Sequence, residues 1–260
     1  MDSIELNTGA KIPPIGLGTW KMSQDGEVQA AVSEALGCGY RLIDTAKIYG
    51  NEEGVGQAVK RSGLAREKLF ITTKLWNSDQ GYHSARTAFD ESLTKLGMDY
   101  VDLYLIHWPA TEQRHSAWRA LEELQEEGKA KAIGVSNYEV RHLEELLSRS
   151  DTVPAVNQIE FHPFVYKKQK PTLDFCQQHD IVVEAYSPLS HGENLNHPAI
   201  TKIAKQHKRT NAQIMLRWAI QHDTVPIPKA SQPSHLIENI EVFDFELSDD
   251  DMDKLNGLSG

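Results

Sequence analysis

From residue 12 onward, short apolar runs alternate with longer stretches whose apolar positions recur at helical spacing. Eight runs read as strands: Ile15–Gly18, Arg41–Asp44, Leu69–Lys74, Val101–His107, Ala132–Ser136, Ala155–Glu160, Ile181–Ser187 and Thr224–Pro228. They are rich in Ile, Val, Leu and Tyr without strict polar alternation, as strands covered on both faces are. Between them, Val28, Ala31, Val32, Ala35 and Leu36 form one helical stripe that stops at Gly37. Ala85, Ala88, Phe89, Ser92, Leu93 and Leu96 form a second, before Gly97. Trp118, Leu121, Leu124 and Gln125 follow, then Val140, Leu143, Leu146 and Leu147, with a weaker stripe at Ile200, Ile203 and Ala204. Asn211 is the expected N-cap of a helix holding Ile214, Met215, Trp218 and Ala219. Parallel strands need crossover helices, and eight such units in ~250 residues predict an α/β fold, the closed (β/α)8 TIM barrel. Ahead of it, Ile4-Glu5-Leu6 and Lys11-Ile12 flank Asn7-Thr8-Gly9, the pattern of a β-hairpin, which we expect to plug the barrel's N-terminal end.

Composition narrows this further. No Pro/Gly/Ser-rich linker or charge block divides the 260 residues, so residues 1–260 are expected to form one domain. Lys plus Arg number 27 against 37 Asp plus Glu, a formal net charge of −10. That balance argues against nucleic acid or an anionic membrane as partner. The two cysteines, Cys38 and Cys176, supply neither a disulfide framework nor a zinc cluster, and no metal is expected. They read as small buried apolar residues. No apolar run approaches the ~20 residues of a membrane span, and Met1-Asp2-Ser3-Ile4-Glu5 lacks the features of a signal peptide. A cytoplasmic location is expected.

Reactive side chains of such barrels gather at the C-terminal ends of the strands. Those ends carry Asp44, Lys74, His107, Ser136-Asn137, Gln158, Tyr186-Ser187 and Lys229, with Tyr49 just past the second strand. An acid, a phenol, an amine and an imidazole around one mouth suit carbonyl reduction. Hydride arriving at a carbonyl carbon leaves charge on oxygen, which needs a proton donor. Tyrosine, at about pKa 10, is a reluctant donor; a lysine cation lowers that value, and a buried aspartate holds the lysine charged. A histidine donor positions the carbonyl and stabilises developing negative charge. Taken singly, each residue has an ordinary structural reading: Asp44 as a helix cap, Tyr49 as a packed aromatic, Lys74 as a solvated strand end, His107 as a core histidine.

Longer motifs go beyond this. The stretch Gly39-Tyr40-Arg41-Leu42-Ile43-Asp44-Thr45-Ala46-Lys47-Ile48-Tyr49-Gly50-Asn51-Glu52 resembles the signature of the aldo-keto reductases. Thr73-Lys74-Leu75-Trp76, Leu105-Ile106-His107-Trp108-Pro109 and Gly134-Val135-Ser136-Asn137-Tyr138 match further segments in order. So do Asn157-Gln158-Ile159-Glu160-Phe161-His162-Pro163, Ala185-Tyr186-Ser187-Pro188-Leu189, Ile227-Pro228-Lys229 and Glu238-Asn239. The resemblance, which runs from Gly16 to Asn239, is to bacterial-type members that reduce diketogluconate or methylglyoxal. It implies a (β/α)8 barrel binding a nicotinamide dinucleotide without a Rossmann domain; Gly54-Val55-Gly56 is then a helix fragment, not a phosphate loop. It further implies Tyr49 as proton donor, Lys74 as its activator, Asp44 orienting Lys74, and His107 orienting the carbonyl. Ser136, Asn137 and Gln158 would bind the carboxamide, and Tyr186 would stack on the nicotinamide ring. Thr19 and Lys21 would lie near the cofactor's middle, Ser187 and Leu189 near its pyrophosphate. Trp20, Trp76 and Trp108 match the aromatic wall of the substrate pocket. The family also favours a monomer.

Two departures stand out. Many members place Lys-Ser, then an arginine five residues on, near the adenosine 2′-phosphate. Here Lys229, Glu238 and Asn239 are retained, but Ala230 replaces the serine and His235 the arginine. Arginine offers phosphate a permanent bidentate charge, whereas histidine is mostly neutral near pH 7. NADPH is therefore the expected cofactor, with more tolerance of NADH than a Ser/Arg member shows. The second departure is length. After Asn239 a final helix, Ser248–Leu255, whose start resembles a capping box, leaves little for a pocket-covering loop, and only Trp108–His115 separates His107 from the next helix. An open mouth accepting varied small aldehydes, α-dicarbonyls or keto sugars is expected. The rival readings are a cofactor-sensing protein and a phosphate-binding isomerase or lyase on the same barrel. The intact set Asp44, Tyr49, Lys74, His107 weighs against the first, and the lack of a glycine-rich phosphate loop against the second.

Overall fold

A computed structural model describes residues 3–259. In chain order its elements begin with β1 (Ile4–Glu5), β2 (Lys11–Ile12), β3 (Gly16–Gly18), α1 (Glu27–Gly37), β4 (Leu42–Asp44), α2 (Glu52–Arg61) and β5 (Phe70–Leu75). There follow α3 (Tyr82–Leu96), β6 (Val101–Ile106), α4 (Arg114–Glu126), β7 (Ala130–Ser136), α5 (Val140–Leu147) and β8 (Val156–Glu160). The last are α6 (Tyr166–Gln178), β9 (Val182–Tyr186), α7 (Pro198–His207), α8 (Asn211–Gln221), β10 (Thr224–Pro226), α9 (Pro233–Ile240) and α10 (Asp249–Asn256).

Strands β3 to β10 pair in parallel and in sequence order. The ring nearly closes where the Gly18 amide donates to the Pro228 carbonyl at 3.1 Å. Closure needs glycine there: a Cβ on Gly18 would lie 2.7 Å from the Ile227 carbonyl oxygen. This is the (β/α)8 barrel that the alternation of apolar runs and helical stripes predicts. Each expected strand is present, trimmed or extended by a residue or two; β6 ends at Ile106, leaving His107 just past it.

Apolar burial divides into two layers, as alternating in/out side chains of a closed sheet require. Outside the sheet, the stripes of α1, α3, α4, α5 and α8 pack on the strands, with Trp118 and Trp218 among the largest buried side chains. Inside, Leu42, Phe70, Leu103, Leu105, Val156, Val225 and Ile227 fill the lower barrel together with Leu6 and Ile12 of the hairpin. The hairpin, paired Ile4 to Ile12 and Glu5 to Lys11, therefore plugs the N-terminal end as expected. Above that apolar floor the interior turns polar.

Local chemistry corrects four details. Thr210, not Asn211, caps α8: its hydroxyl accepts from the Gln213 amide, and Gln213 reaches back to the Thr210 amide, a reciprocal capping box. At α10, Ser248 accepts from the Asp251 amide, but Asp251 returns only to the Ser248 hydroxyl, its side chain being shorter than the usual Glu. Helix α6 lacks a clear stripe, burying only Thr172, Leu173 and Cys176 and carrying Pro171 inside, so periodicity misses it. Of the two cysteines, Cys176 is buried but Cys38 is partly exposed. Gly54-Val55-Gly56 does lie within α2, where a Cβ on Gly56 would strike the Leu96 carbonyl of α3.

Candidate active site

The polar layer hangs on the C-terminal ends of the strands. Asp44 closes β4, Lys74 is the penultimate residue of β5, and Tyr49 ends a single 3-10 turn, Lys47–Tyr49, after β4. The Lys74 side chain is wholly buried, and its ammonium donates to Asp44 Oδ1 at 2.6 Å, the Thr45 carbonyl at 2.9 Å and Tyr49 Oη at 3.4 Å. An ammonium has three protons, and all three are used. Tyr49 Oη therefore accepts from Lys74, which leaves its own O–H to point elsewhere. Burial opposes the Lys74 charge most strongly, but its neighbours together, Asp44 foremost, outweigh it and hold the pKa above its ordinary value. Burial pushes Asp44 up, with Lys74 and Gln158 pulling against it. Tyr49 is also pushed up on balance, by burial first, although Lys74 pulls it down. Lys74 thus pulls the phenol in the expected direction, and in the resting protein desolvation outweighs that pull.

His107 packs edge-on between Tyr49 and Trp76, with ring centroids 5.7 and 5.2 Å away. Its Nδ1 is buried without a partner. Burial, then Lys74, lowers its pKa from 6.5 to about 3, so the ring is neutral at physiological pH.

A second chain of hydrogen bonds runs along β7, β8 and β9. Ser136 Oγ donates to the Gln158 carbonyl at 2.8 Å, and Asn137 Nδ2 donates to Ser136 Oγ and to the His107 carbonyl, both at 3.0 Å. Tyr186 Oη donates to Asn137 Oδ1 at 2.9 Å. Gln158 Nε2 donates to Asp44 Oδ2 at 2.8 Å and to Glu184 Oε2 at 2.9 Å, joining this chain to the Asp44–Lys74 pair. Thr19 is buried, and its hydroxyl donates to the Asp44 carbonyl at 2.9 Å. Asp44, Tyr49, Lys74, His107, Ser136, Asn137, Gln158, Tyr186 and Thr19 thus form one connected set.

The rim is looser. Trp20 and Trp108 are 44% and 41% exposed and Trp76 is half-buried, so none of the three is a core tryptophan. Lys21 lies over the Trp20 ring, its ammonium 4.3 Å from the centroid, and Lys229 Nζ donates to the Lys21 carbonyl at 2.9 Å. Ser187 Oγ is 3.4 Å from His191 Nδ1, and His191 stands edge-on to Trp20 at 5.9 Å. Leu189 is half-buried at the turn after β9. His235 is exposed on α9; among the described residues no hydrogen bond or ion pair joins its side chain to the rest. Glu238 accepts from the Thr210 hydroxyl at 2.5 Å, tying α9 to α8, and Asn239 is buried. Among the described residues, five of the eight non-glycine positions with positive φ are Lys21, Asn137, Ser187, Ser190 and His191. All lie in loops at this mouth, where left-handed backbone costs of order 1–2 kcal/mol each.

Glu184 is the site residue that reading by motif passes over. It sits on β9 two positions before Tyr186, so strand alternation puts both on one face, a carboxyl within an otherwise apolar run.

A barrel with a lysine–aspartate–tyrosine array and a neutral histidine at its mouth has the form of a barrel oxidoreductase. The profile of the Aldo/keto reductase family matches residues 14–259, and the chain belongs to that family, as an NAD(P)H-dependent oxidoreductase. It is 50% identical over 258 residues to a glyoxal reductase of Bacillus subtilis, covering 99% of this chain and 93% of that protein. The crystal structure of an aldo/keto reductase from Brucella melitensis, 50% identical, superimposes with a TM-score of 0.94 and covers 99% of both chains. That of a Bombyx mori aldo-keto reductase in complex with NADP, 37% identical, gives 0.93 and covers 99% of this chain and 92% of that one.

Proposed function

We propose that the protein, acting as one monomeric barrel domain, reduces small aldehydes, α-dicarbonyls or keto sugars, with Tyr49 as proton donor and NADPH as preferred reductant, NADH also being accepted. The observation that carries this reading is the saturation of Lys74. Its three protons are committed to Asp44, Thr45 and Tyr49, so the Tyr49 O–H is free to serve a carbonyl oxygen at the mouth.

The residues present fit a nicotinamide cofactor. Both amide protons of Gln158 are taken by Asp44 and Glu184, so its oxygen is the free end, an acceptor for a carboxamide. Asn137 Oδ1 accepts from Tyr186 and keeps a second lone pair, while its amide group holds that side chain in place. The Tyr186 ring, anchored at its hydroxyl, offers a flat apolar surface for stacking. Bound there, the cofactor would supply hydride. Lys21 and Lys229 would meet its phosphates, Thr19, Ser187 and Leu189 lining the approach, and His235, Glu238 and Asn239 would lie toward the adenosine.

The chain's own groups do the rest. Neutral His107 offers an N–H; with Nδ1 buried, Nε2 is the nitrogen that can meet the carbonyl oxygen and orient it. As charge grows on that oxygen, Tyr49 gives up its proton, and the phenolate left behind is stabilised by the Lys74 cation that already contacts it. Asp44 keeps Lys74 charged throughout. Trp20, Trp76 and Trp108 wall the entrance, and the exposure of Trp20, Trp108 and Ile48 (47%) supports a broad substrate range.

The deciding experiment follows NADPH absorbance with methylglyoxal and a substituted benzaldehyde. Turnover by the parent, reduced at least ~100-fold in Tyr49→Phe with NADPH binding retained, is the expected result. Tight NADPH binding without turnover on a broad carbonyl panel would instead identify a cofactor sensor.

A further inference from the structure

Four strands each send one polar side chain to the same depth of the barrel: Asp44 from β4, Lys74 from β5, Gln158 from β8 and Glu184 from β9. Their bonding is asymmetric. Lys74 contacts Asp44 at 2.6 Å, whereas Glu184, with no exposed surface, has only the Gln158 amide at Oε2 and no partner at Oε1. If both acids were ionised, the layer would hold two negative charges against one positive, in an interior where an unpaired charge is costly. Asp44 has the cation, so Glu184 is the acid that must carry a proton. Turning the Gln158 amide over would set its oxygen against the ionised Asp44 carboxylate, which can only accept.

We propose that Glu184 is a positioning residue for carbonyl reduction: it fixes the Gln158 amide oxygen toward the mouth and, by holding a proton, reserves the Lys74 charge for Asp44 and Tyr49. The inference rests on the reductase reading above and extends it to a residue outside the Asp–Tyr–Lys–His set. Burial first, then the Asp44 charge, raise the Glu184 carboxyl to about 8, against the pull of Gln158 and Lys74. The ionisable groups that face it are Asp44 and Lys74, with Tyr49 beyond Lys74; its strand neighbours, Gln158 and Val225, do not ionise. Above that pH a second carboxylate would compete for the Lys74 ammonium, and the support Lys74 gives to a Tyr49 phenolate would weaken.

The test compares the parent with Glu184→Gln, which imitates the neutral acid, and Glu184→Leu, which removes the acceptor. Infrared difference spectra of the protein without cofactor report the protonation state directly. A buried protonated carboxyl band at neutral pH that is missing from Glu184→Gln is expected. In kcat/KM against pH, the parent should lose activity through a limb near pH 8 that Glu184→Gln lacks. Glu184→Leu, with Gln158 half-anchored, should bind NADPH about tenfold more weakly by fluorescence titration. A limb near pH 8 that persists in Glu184→Gln, or a spectrum without that carboxyl band, overturns the proposal; so does undiminished NADPH affinity in a folded Glu184→Leu. Should Glu184→Leu not fold, the spectrum and the Glu184→Gln profile decide alone. Tyr49→Phe keeps the two readings apart: if it turns over like the parent, the reductase reading falls, whereas the infrared band still reports on Glu184.

Discussion

The inner array and the outer rim of this mouth are built in opposite ways. Inside, Lys74, Asp44, Gln158 and Glu184 are buried on strands, and every proton of Lys74 and of the Gln158 amide has a protein acceptor. Outside, Trp20, Lys21, Lys229 and His235 are exposed and stand on loops or the first turns of α9. The inner geometry is already held by these protein–protein bonds, so its residues should act on rate through preorganisation. The rim is unfinished until a ligand supplies its partners, so its residues should act on affinity and cofactor choice.

Removing the cation at the centre should give the largest effect. Lys74→Met leaves Asp44 as a buried unpaired charge, a loss of about 3–5 kcal/mol in stability. It also strips Tyr49 of its ammonium contact, and on the proposed mechanism kcat should fall by about a thousandfold or more. Denaturant unfolding and single-turnover rates on the folded fraction measure the two losses separately. A variant with near-parental kcat would remove the distinction between preformed array and rim.

His107 provides a pH test of the same region. Its folded pKa, about 3, lies below its ordinary 6.5, so over that interval the unfolded chain binds the extra proton. Stability from this group is complete above 6.5 and is lost as pH falls toward 3, at about 1.4 kcal/mol per unit. Between pH 7 and pH 5, urea midpoints of His107→Gln should thus lose on the order of 2 kcal/mol less stability than those of the parent. Equal losses would mean that His107 is not held neutral by burial.

At the rim, Lys229→Ala should raise the KM for NADPH about tenfold and leave kcat within about twofold, as expected when a charge-assisted contact to phosphate worth ~1.4 kcal/mol is removed from a group outside the chemistry. A fall in kcat as large as that in kcat/KM would place Lys229 with the inner array instead.

The same division governs what could be read from sequence. Strand ends were legible because each motif residue sits at or beside the last position of an apolar run: Asp44 ends β4, Ser136 ends β7, Tyr186 ends β9. The two-layer core followed from period and alternation. Glu184 was not legible as chemistry, because its meaning lies in a contact with Gln158 on the neighbouring strand, and no local spacing encodes that. The acidity of Tyr49 was legible only in part for a related reason: residue types name Lys74, which does lower its pKa, but the opposing desolvation depends on how deeply the fold buries the phenol. Helix α6 escaped because Pro171 and a thin apolar face blur its period.

The smallest expected effect is also the most diagnostic of the rim. His235 is exposed on α9, two positions after the Pro233 that opens the helix, and Ala230 offers no hydroxyl nearby. Unlike arginine, histidine offers an incoming 2′-phosphate no permanent bidentate charge, so most of the discrimination between NADPH and NADH is expected to fall on Lys229. Replacing His235 with arginine adds a planar cation that can bind phosphate through two N–H groups. At an exposed position solvent screens much of that gain, which leaves about 0.5–1 kcal/mol, or roughly a two- to fivefold rise in the ratio of kcat/KM for NADPH over NADH. The change should appear in KM for NADPH alone, because among the described residues no hydrogen bond or ion pair joins the His235 side chain to Lys74 or Tyr49. A strong NADPH preference in the parent that His235→Arg leaves unmoved would show that 2′-phosphate recognition lies elsewhere, and the His235 side of the rim would then have no part in choosing the cofactor.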